Sequence, residues 1–350
     1  MKKGKLKNSS HKIYAHVNDI NEPSLSIIVI NFGEEEYTRK LISSLEKSTF
    51  KDFELLIGKV TLSNSNNSKV EGALSEKLNS SNINFKLIRL ENNYGAPGNR
   101  NVLASYAKGE YLLFLDNDTE VLEDTLTNIM DFVKKENSDF VVQLKLVYPN
   151  GLIDSCGGLI SDLGYPVELN RNSKANEKCF EMKEIFYAKA AAMLVNRRIF
   201  EELGGFDKDY FYGYADTDFS FRALKRGYKV IFFPATVIHH EHGSFPKDLR
   251  SREIRLTYFL ESRRLYFLLK NFSRGYLFRK MPKVLFYLFG SMLMDLVKRR
   301  KPCLFKARVK ALLWVISKLS EIYRKRKNEI FINEEELIRK GLIVKHKSKK

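Results

Sequence analysis

Apolar residues fall in short blocks along the first two-thirds of the chain, and their spacing switches between two periods. SLSIIVINF (24–32) is an unbroken β-branched run, the pattern of a strand covered on both faces. EEEYTRKLISSLEKS follows, with Tyr37, Leu41 and Leu45 at i, i+4 and i+8 behind acidic residues, which predicts an amphipathic helix. FELLIGKV (53–60) and INFKLIRL (83–90) predict two more strands. The polar run TLSNSNNSKVEG between them reads as loop. NNYGAPGNRNVLASYAKG predicts a helix from Pro97 that stops at Gly109. YLLFLD is a fourth strand, and EVLEDTLTNIMDFVKK puts Leu122, Leu126, Ile129, Met130 and Val133 on one helical face. AMLVNRRIFEELGGFD predicts strand, helix and Gly-Gly turn; KVIFFPATVIHHEHGS predicts a strand pair. Strands alternating with helices specify right-handed βαβ units and a mostly parallel sheet. The expected organisation is a flexible lead over 1–22, one α/β domain over 23–249, and a helical region over 250–350.

One block ends unlike the rest. YLLFLDNDTEV closes an apolar run with two carboxylates, Asp116 and Asp118, around Asn117. In open α/β sheets ligands bind outside the carboxyl ends of strands. Two carboxylates facing one way repel unless a cation lies between them, and Mg²⁺ or Mn²⁺ shared with a diphosphate meets that need. The other reading is a strand-to-turn signal in which Asp118 or Thr119 caps the next helix. FYGYADTDFSFRALKRGY poses the same choice, because only one of Asp216 and Asp218 can comfortably cap the helix they open. Three histidines, His239, His240 and His242, then cluster within four positions beside a predicted strand end.

In this order, SIIVINF, NNYGAPGNRN, KGEYLLFLDNDTEV, LGGFDKDYFYGYADTDFSFRALKRGYKV and VIHHEHGS resemble the family 2 glycosyltransferases, from about residue 25 to residue 244. The resemblance implies a GT-A fold, Rossmann-like with helices flanking the sheet, and an inverting metal-dependent hexosyltransferase. It implies that Asp116 and Asp118 form the DxD pair, holding Mn²⁺ or Mg²⁺ on a nucleotide-sugar diphosphate, and that His239 completes the metal site, with His240 and His242 as competitors. Asn31, Gly95, Arg100, Asp116, Asn117 and Asp118 would bind the nucleotide sugar, with Gly95 and Gly98 allowing close backbone approach. Asp216 matches the catalytic base and Asp218 a supporting acidic position. Two departures stand out: no acid occupies GKVTLSNSNNS, where relatives contact the base of the nucleotide, and Ala215 replaces the acid usually found before Asp216. They motivate an alternative, a non-catalytic sugar- or glycan-binding relative.

Charge is segregated along the chain. Residues 250–350 hold 28 Lys and Arg against 8 Asp and Glu, whereas the first 249 hold 32 basic and 34 acidic groups. Such segregation points to an anionic surface as partner. RRLYFLLKNF, VLFYLFGSMLMDLVKRRK and ARVKALLWVISKLSEIYRKRK predict helices, with Val309, Leu312, Leu313, Ile316 and Tyr323 near one face. The longest apolar run, from Val284 to Met294, is far short of the ~20 residues that span a bilayer. These helices therefore read as lying on an anionic membrane surface, or as packing on the catalytic domain or a second copy of the chain. Nucleic-acid binding through the basic tail is a further alternative, disfavoured because no zinc, RRM or helix-turn-helix signature accompanies the basic residues. Three scattered cysteines without a CxxC pair argue against a disulfide framework and fit a reducing compartment. With no apolar h-region near the start, the expected location is cytoplasmic, peripheral on the inner face of the membrane.

Overall fold

The computed structural model describes residues 12–16, 22–32, 35–60, 70–90, 92–136, 139–240, 248–326 and 332–346. Strand and helix alternate through the first part as the apolar periodicity predicts. The order is β1 (Lys12–His16), β2 (Leu25–Asn31), α1 (Glu35–Lys47), β3 (Phe53–Val60), α2 (Val70–Asn79), β4 (Asn84–Leu90), α3 (Gly95–Ala104), β5 (Tyr111–Asp116), β6 (Thr119–Val121) and α4 (Thr125–Glu136). An excursion of short strands follows: β7 (Phe140–Val147), β8 (Ile153–Ser155), β9 (Gly158–Ser161), β10 (Pro166–Glu168) and β11 (Lys183–Glu184). The domain closes with β12 (Ala192–Asn196), α5 (Arg197–Glu202), α6 (Ala215–Lys225) and β13 (Lys229–His239). The remainder is α7 (Leu249–Asn271), α8 (Arg274–Val297), α9 (Pro302–Ser317), α10 (Leu319–Arg326), α11 (Glu334–Arg339) and β14 (Ile343–Val344).

The main sheet runs β1-β4-β3-β2-β5-β12-β7-β13-β11, with β6 on β13 and β8 on β7. β4, β3, β2 and β5 are parallel, joined by helical crossovers. β12 lies antiparallel to both β5 and β7, so the sheet is mixed rather than mostly parallel. The reason is connectivity. β12 is reached through the excursion over 148–191 and not by a βαβ crossover, so nothing imposes the parallel direction. Leu41, Leu45, Leu74, Leu78, Ile129 and Met130 cover one face of the sheet from α1, α2 and α4. Leu103, Phe200, Phe219 and Phe267 cover the other from α3, α5, α6 and α7.

Several expectations change. The lead contributes an edge strand, β1, antiparallel to β4 with Ile13 opposite Ile88. Helix α2 begins inside the stretch read as loop, whose residues 61–69 lie outside the described ones; Leu74 and Leu78, at i and i+4, are its buried side chains. Helix α3 ends five residues before Gly109, whose role is close approach. A Cβ there would meet the Ser26 nitrogen at 2.5 Å, and its N–H donates to Ser26 Oγ at 2.8 Å. The strand pair is one strand, β13, with a register shift between Phe233 and Thr236 around Pro234, where a ladder hydrogen bond would be lost in any case. Cys156 and Cys179 are joined in a disulfide, 23 residues apart, which removes the ground for a reducing compartment; Cys303 is free.

The basic region is part of the same folded body. Leu265, Tyr266, Phe267 and Leu268 of α7 are buried in the core that holds Phe219 and Phe232. β14 returns to pair with β9, Ile343 opposite Ile160. Among the described residues no helix is long and apolar enough to cross a membrane.

Candidate functional site

The site forms where β5 runs out. Thr119 Oγ1 donates to the Asp116 carbonyl at 2.7 Å, tightening the turn that carries Asp116 and Asp118. β6 then pairs antiparallel with β13, and the register sets His239 opposite Thr119. Residues 121 positions apart thereby become neighbours: His239 Nε2 lies 3.5 Å from Asp118 Oδ1. One ligand atom from each of Asp116, Asp118 and His239 falls within 4.8 Å of the others. Two hard oxygen donors and an imidazole suit a divalent ion such as Mn²⁺ or Mg²⁺.

His239 is held from behind. Its Nδ1 meets Asp154 Oδ2 at 2.9 Å, the carboxylate–imidazole arrangement that fixes ring orientation at metal sites. Asp154, buried on β8, also accepts from Tyr148 at 2.9 Å and faces Lys189 Nζ at 3.4 Å. Burial alone would raise the Asp154 pKa, but the His239 hydrogen bond and the Lys189 charge outweigh it and hold the carboxyl well below its ordinary range. Burial likewise opposes charge on His239, yet its hydrogen bonds to Asp118 and Asp154 and the Asp116 charge push it up to about 10. A cation entering here therefore displaces a proton. Asp154 carried no signal in the sequence: it stands alone in GLIDSCGG, and only β8 pairing with β7 brings it to β13.

The neighbouring histidine points elsewhere, as alternation along a strand requires. His240 Nε2 contacts Glu120 at 2.6 Å and its ring packs against Tyr37. His242 lies outside the described residues.

Arg100 reaches from α3 to Asp116 Oδ1 at 2.5 Å. Its Nε is buried without a partner among the described residues, as are Asn31 Nδ2 and Glu35 Oε2. Asn31 ends β2, Glu35 opens α1, and Glu35 also pairs with Lys59 at the end of β3 (2.7 Å). Buried polar atoms are nearly always satisfied. Three orphans at the carboxyl ends of the parallel strands mark the edge where a polar ligand fits. Asn117 turns toward α1, donating to Thr38 Oγ1 at 3.4 Å. Gly95 is demanded by the protein itself. At φ +75°, a Cβ would sit 2.4 Å from the Phe211 carbonyl, which also accepts the Ala96 N–H. Gly98 is closed off similarly, by the Tyr94 Cβ at 2.6 Å.

Asp216 and Asp218 part company. Neither caps α6, whose N-cap is Tyr214 in the left-handed region. Asp216 is half-buried and accepts from the Ala190 N–H at 3.3 Å, while the Asp116 N–H donates to the Ala191 carbonyl at 3.2 Å. The Ala190–Ala191 segment thus separates Asp216 from the Asp116 turn by one short stretch of backbone. Asp218 is fully buried and turned toward α7. It accepts from Lys270 (2.8 and 2.9 Å), Arg222 (2.8 Å), Asn271 (2.7 Å) and Tyr210 (3.0 Å). Although burial alone would raise its pKa, the Lys270 and Arg222 charges hold it far below the usual carboxylate range. It anchors α7.

Comparison with known proteins gives this geometry a context. A family model described as Glycosyl transferase family 2 matches residues 26–204, just over half of the chain. The chain is similar to the GalNAc(5)-diNAcBac-PP-undecaprenol beta-1,3-glucosyltransferase of Campylobacter jejuni, 30% identical over 52% of this chain and 57% of that protein. It is also similar to the poly(ribitol-phosphate) beta-N-acetylglucosaminyltransferase TarS of Staphylococcus aureus, 32% identical over 36% of this chain and 21% of that one. The chain thus spans less than two-thirds of the length of these relatives. The mannosyltransferase PcManGT from Pyrobaculum calidifontis, solved with GDP-Man and Mn²⁺, matches with a TM-score of 0.52 at 14% identity, over 85% of this chain and 88% of that one. GalNAc-T7, solved with UDP, GalNAc and Mn²⁺, matches with a TM-score of 0.52 at 19% identity, over 70% and 51%. At such identities the likeness shows the fold alone, which is GT-A. On the family model's span, the chain belongs to glycosyl transferase family 2.

Proposed function

We propose that this chain transfers a hexose-type sugar, with inversion, from a nucleotide-sugar donor to a hydroxyl of a glycan or lipid-linked glycan acceptor. The observation that carries this reading is the convergence of Asp116, Asp118 and His239 within 4.8 Å, with Asp216 across the Ala190–Ala191 segment. A divalent cation, Mn²⁺ or Mg²⁺, held by Asp116, Asp118 and His239 would supply charge neutralisation for the departing nucleoside diphosphate. Asp154 keeps the His239 ring aimed at that position. Arg100, paired with Asp116, has a buried Nε without a partner among the described residues, in position to meet a donor oxygen. Asn31 offers its Nδ2 at the end of β2, and Asn117 lines the turn.

Asp216 is the base in this scheme. Its half-buried carboxylate accepts from the Ala190 N–H at 3.3 Å and the Thr217 N–H at 2.8 Å and meets no cation among the described residues, so it can accept the proton of the attacking hydroxyl. The acceptor class comes from the Campylobacter relative, whose name describes an undecaprenol diphosphate-linked glycan. With an acceptor of that class the reaction would take place at a membrane surface.

The test is thermal stability of the full chain against a panel of nucleotide diphosphates and nucleotide sugars, with and without Mn²⁺. A ligand at 100 times its Kd stabilises by about 2.7 kcal/mol. A metal-dependent shift with one nucleotide supports the donor site and identifies its base. No shift with any nucleotide refutes the reading.

A further inference from the structure

Helix α8 carries two apolar stripes. Tyr276, Val284, Leu288 and Met292 are buried against the body of the protein. On the other side Phe278, Phe286, Phe289, Leu293 and Val297 recur at steps of eight, three, four and four, one continuous face at helical periodicity. They are between 54% and 86% exposed. Contiguous apolar surface on this scale marks an interaction site.

The surrounding charge says what covers it. From Arg274 to Ser317, through α8 and α9, there are 11 Lys and Arg and one acidic residue, Asp295. Asp295 is buried, held by Arg299 and Arg308 at 2.8 Å each, and presents no negative charge outward. By helical periodicity Arg274 lies at one edge of the apolar stripe and Arg279 and Lys283 at the other, while Lys298 and Arg299 follow the end of α8; all five are exposed. Arg300, Lys301 and Lys306 continue the basic surface past the end of α8. Arg279 and Lys301 also face Glu335 and Glu253 (3.5 and 2.7 Å), but a partner with an apolar face alone would not answer the rest of this basic surface, whereas an anionic lipid surface meets both features at once.

We propose that the outer face of α8 is the surface by which this chain docks on an anionic lipid leaflet. Phe278, Phe286, Phe289, Leu293 and Val297 enter the boundary between headgroups and acyl chains, and the flanking arginines and lysines meet the headgroup phosphates. The helix lies in the interface plane, about 36 Å long at 1.5 Å per residue, and does not cross. This proposal rests on the lipid-linked acceptor argued above and names the face that delivers the chain to it.

The experiment is flotation of the full chain with phosphatidylcholine vesicles, with and without phosphatidylglycerol, at low and high salt. The wild type should float with the anionic vesicles and be released as salt rises. Phe286→Asp combined with Phe289→Asp, at exposed positions, should partition at least about tenfold more weakly while melting like the wild type. Lys298→Glu combined with Arg300→Glu should weaken binding to anionic vesicles alone. Failure of the wild type to float, unchanged flotation of the double Asp variant, or equal binding to neutral vesicles overturns the proposal. So does a wild type that self-associates through this face, shown by a monomeric double Asp variant and no vesicle binding. Transfer to a detergent-dispersed acceptor, assayed alongside, separates the two readings: its absence in every protein counts against sugar transfer, whatever the vesicles show.

Discussion

Removing the ammonium that joins α7 to the catalytic domain is the sharpest test of how this chain is built. Lys270 is buried and lies 2.8 and 2.9 Å from the two oxygens of Asp218 and 2.9 Å from Asp207 Oδ2. Lys270→Met keeps the apolar stem and deletes the charge. Asp218 then retains Arg222, Asn271 and Tyr210, and Asp207 retains Lys325, but a buried positive charge between two carboxylates is gone. Breaking a buried ion pair from one side costs about 3–5 kcal/mol. At about 2.1 cal/mol/K of unfolding entropy per residue, a chain of this length loses roughly 1.4 °C per kcal/mol, so Tm should fall by about 4–7 °C. Calorimetry at pH 7 reads this directly. Acid adds a second readout. Asp218 and Asp207 both have folded pKa values below their ordinary one, so the stability they contribute is present above the unfolded value of about 3.9 and is lost as pH falls through the folded values. The gap between wild type and variant should therefore narrow below about pH 4. A Tm loss under about 1 °C, or a gap constant with pH, would refute the claim that this ion pair holds the basic region to the domain.

Three further outcomes follow from the site. Asp216→Asn should lower kcat by about 10²–10⁴-fold while leaving the nucleotide-induced thermal shift in place; transfer at the wild-type rate removes Asp216 as base. Asp154→Asn should weaken Mn²⁺ binding by about 10–100-fold, measured by direct titration of the ion, because His239 loses the carboxylate that orients its ring; unchanged affinity would show that the contact is only structural. Gly95→Ala should destabilise by more than about 1 kcal/mol in denaturant melts, since φ +75° and the Phe211 carbonyl both oppose a Cβ; a neutral substitution would mean that the Phe211 loop yields easily.

Much of the fold was legible because short-range pattern carries it. β3 and β5 coincide with the predicted runs, since a doubly covered strand is mostly apolar; the one buried charge in β3, Glu54, is met by Ser26 and Lys86. α4 was placed by Leu126, Ile129, Met130 and Val133, while Leu122 fell before the helix and is exposed. The direction of β12 was not legible, because antiparallel pairing depends on how the 148–191 excursion returns and not on any local period. Nor was the Cys156–Cys179 pairing, which joins loop positions that no motif links.

The site divides in the same way. Sequence alone determined which carboxylates stand at the end of β5 and the start of α6, because the strand and helix ends around them are written in the local pattern. Only the tertiary structure decided what each of them meets. The β6–β13 register selected His239 over His240, since side chains alternate along a strand and one step reverses the face. Packing of α7 on α6 buried Asp218, whose carboxylate meets two cations, Arg222 and Lys270, in the core. Asp154 entered through strand pairing between residues 85 apart, a distance over which one chain's pattern holds no information.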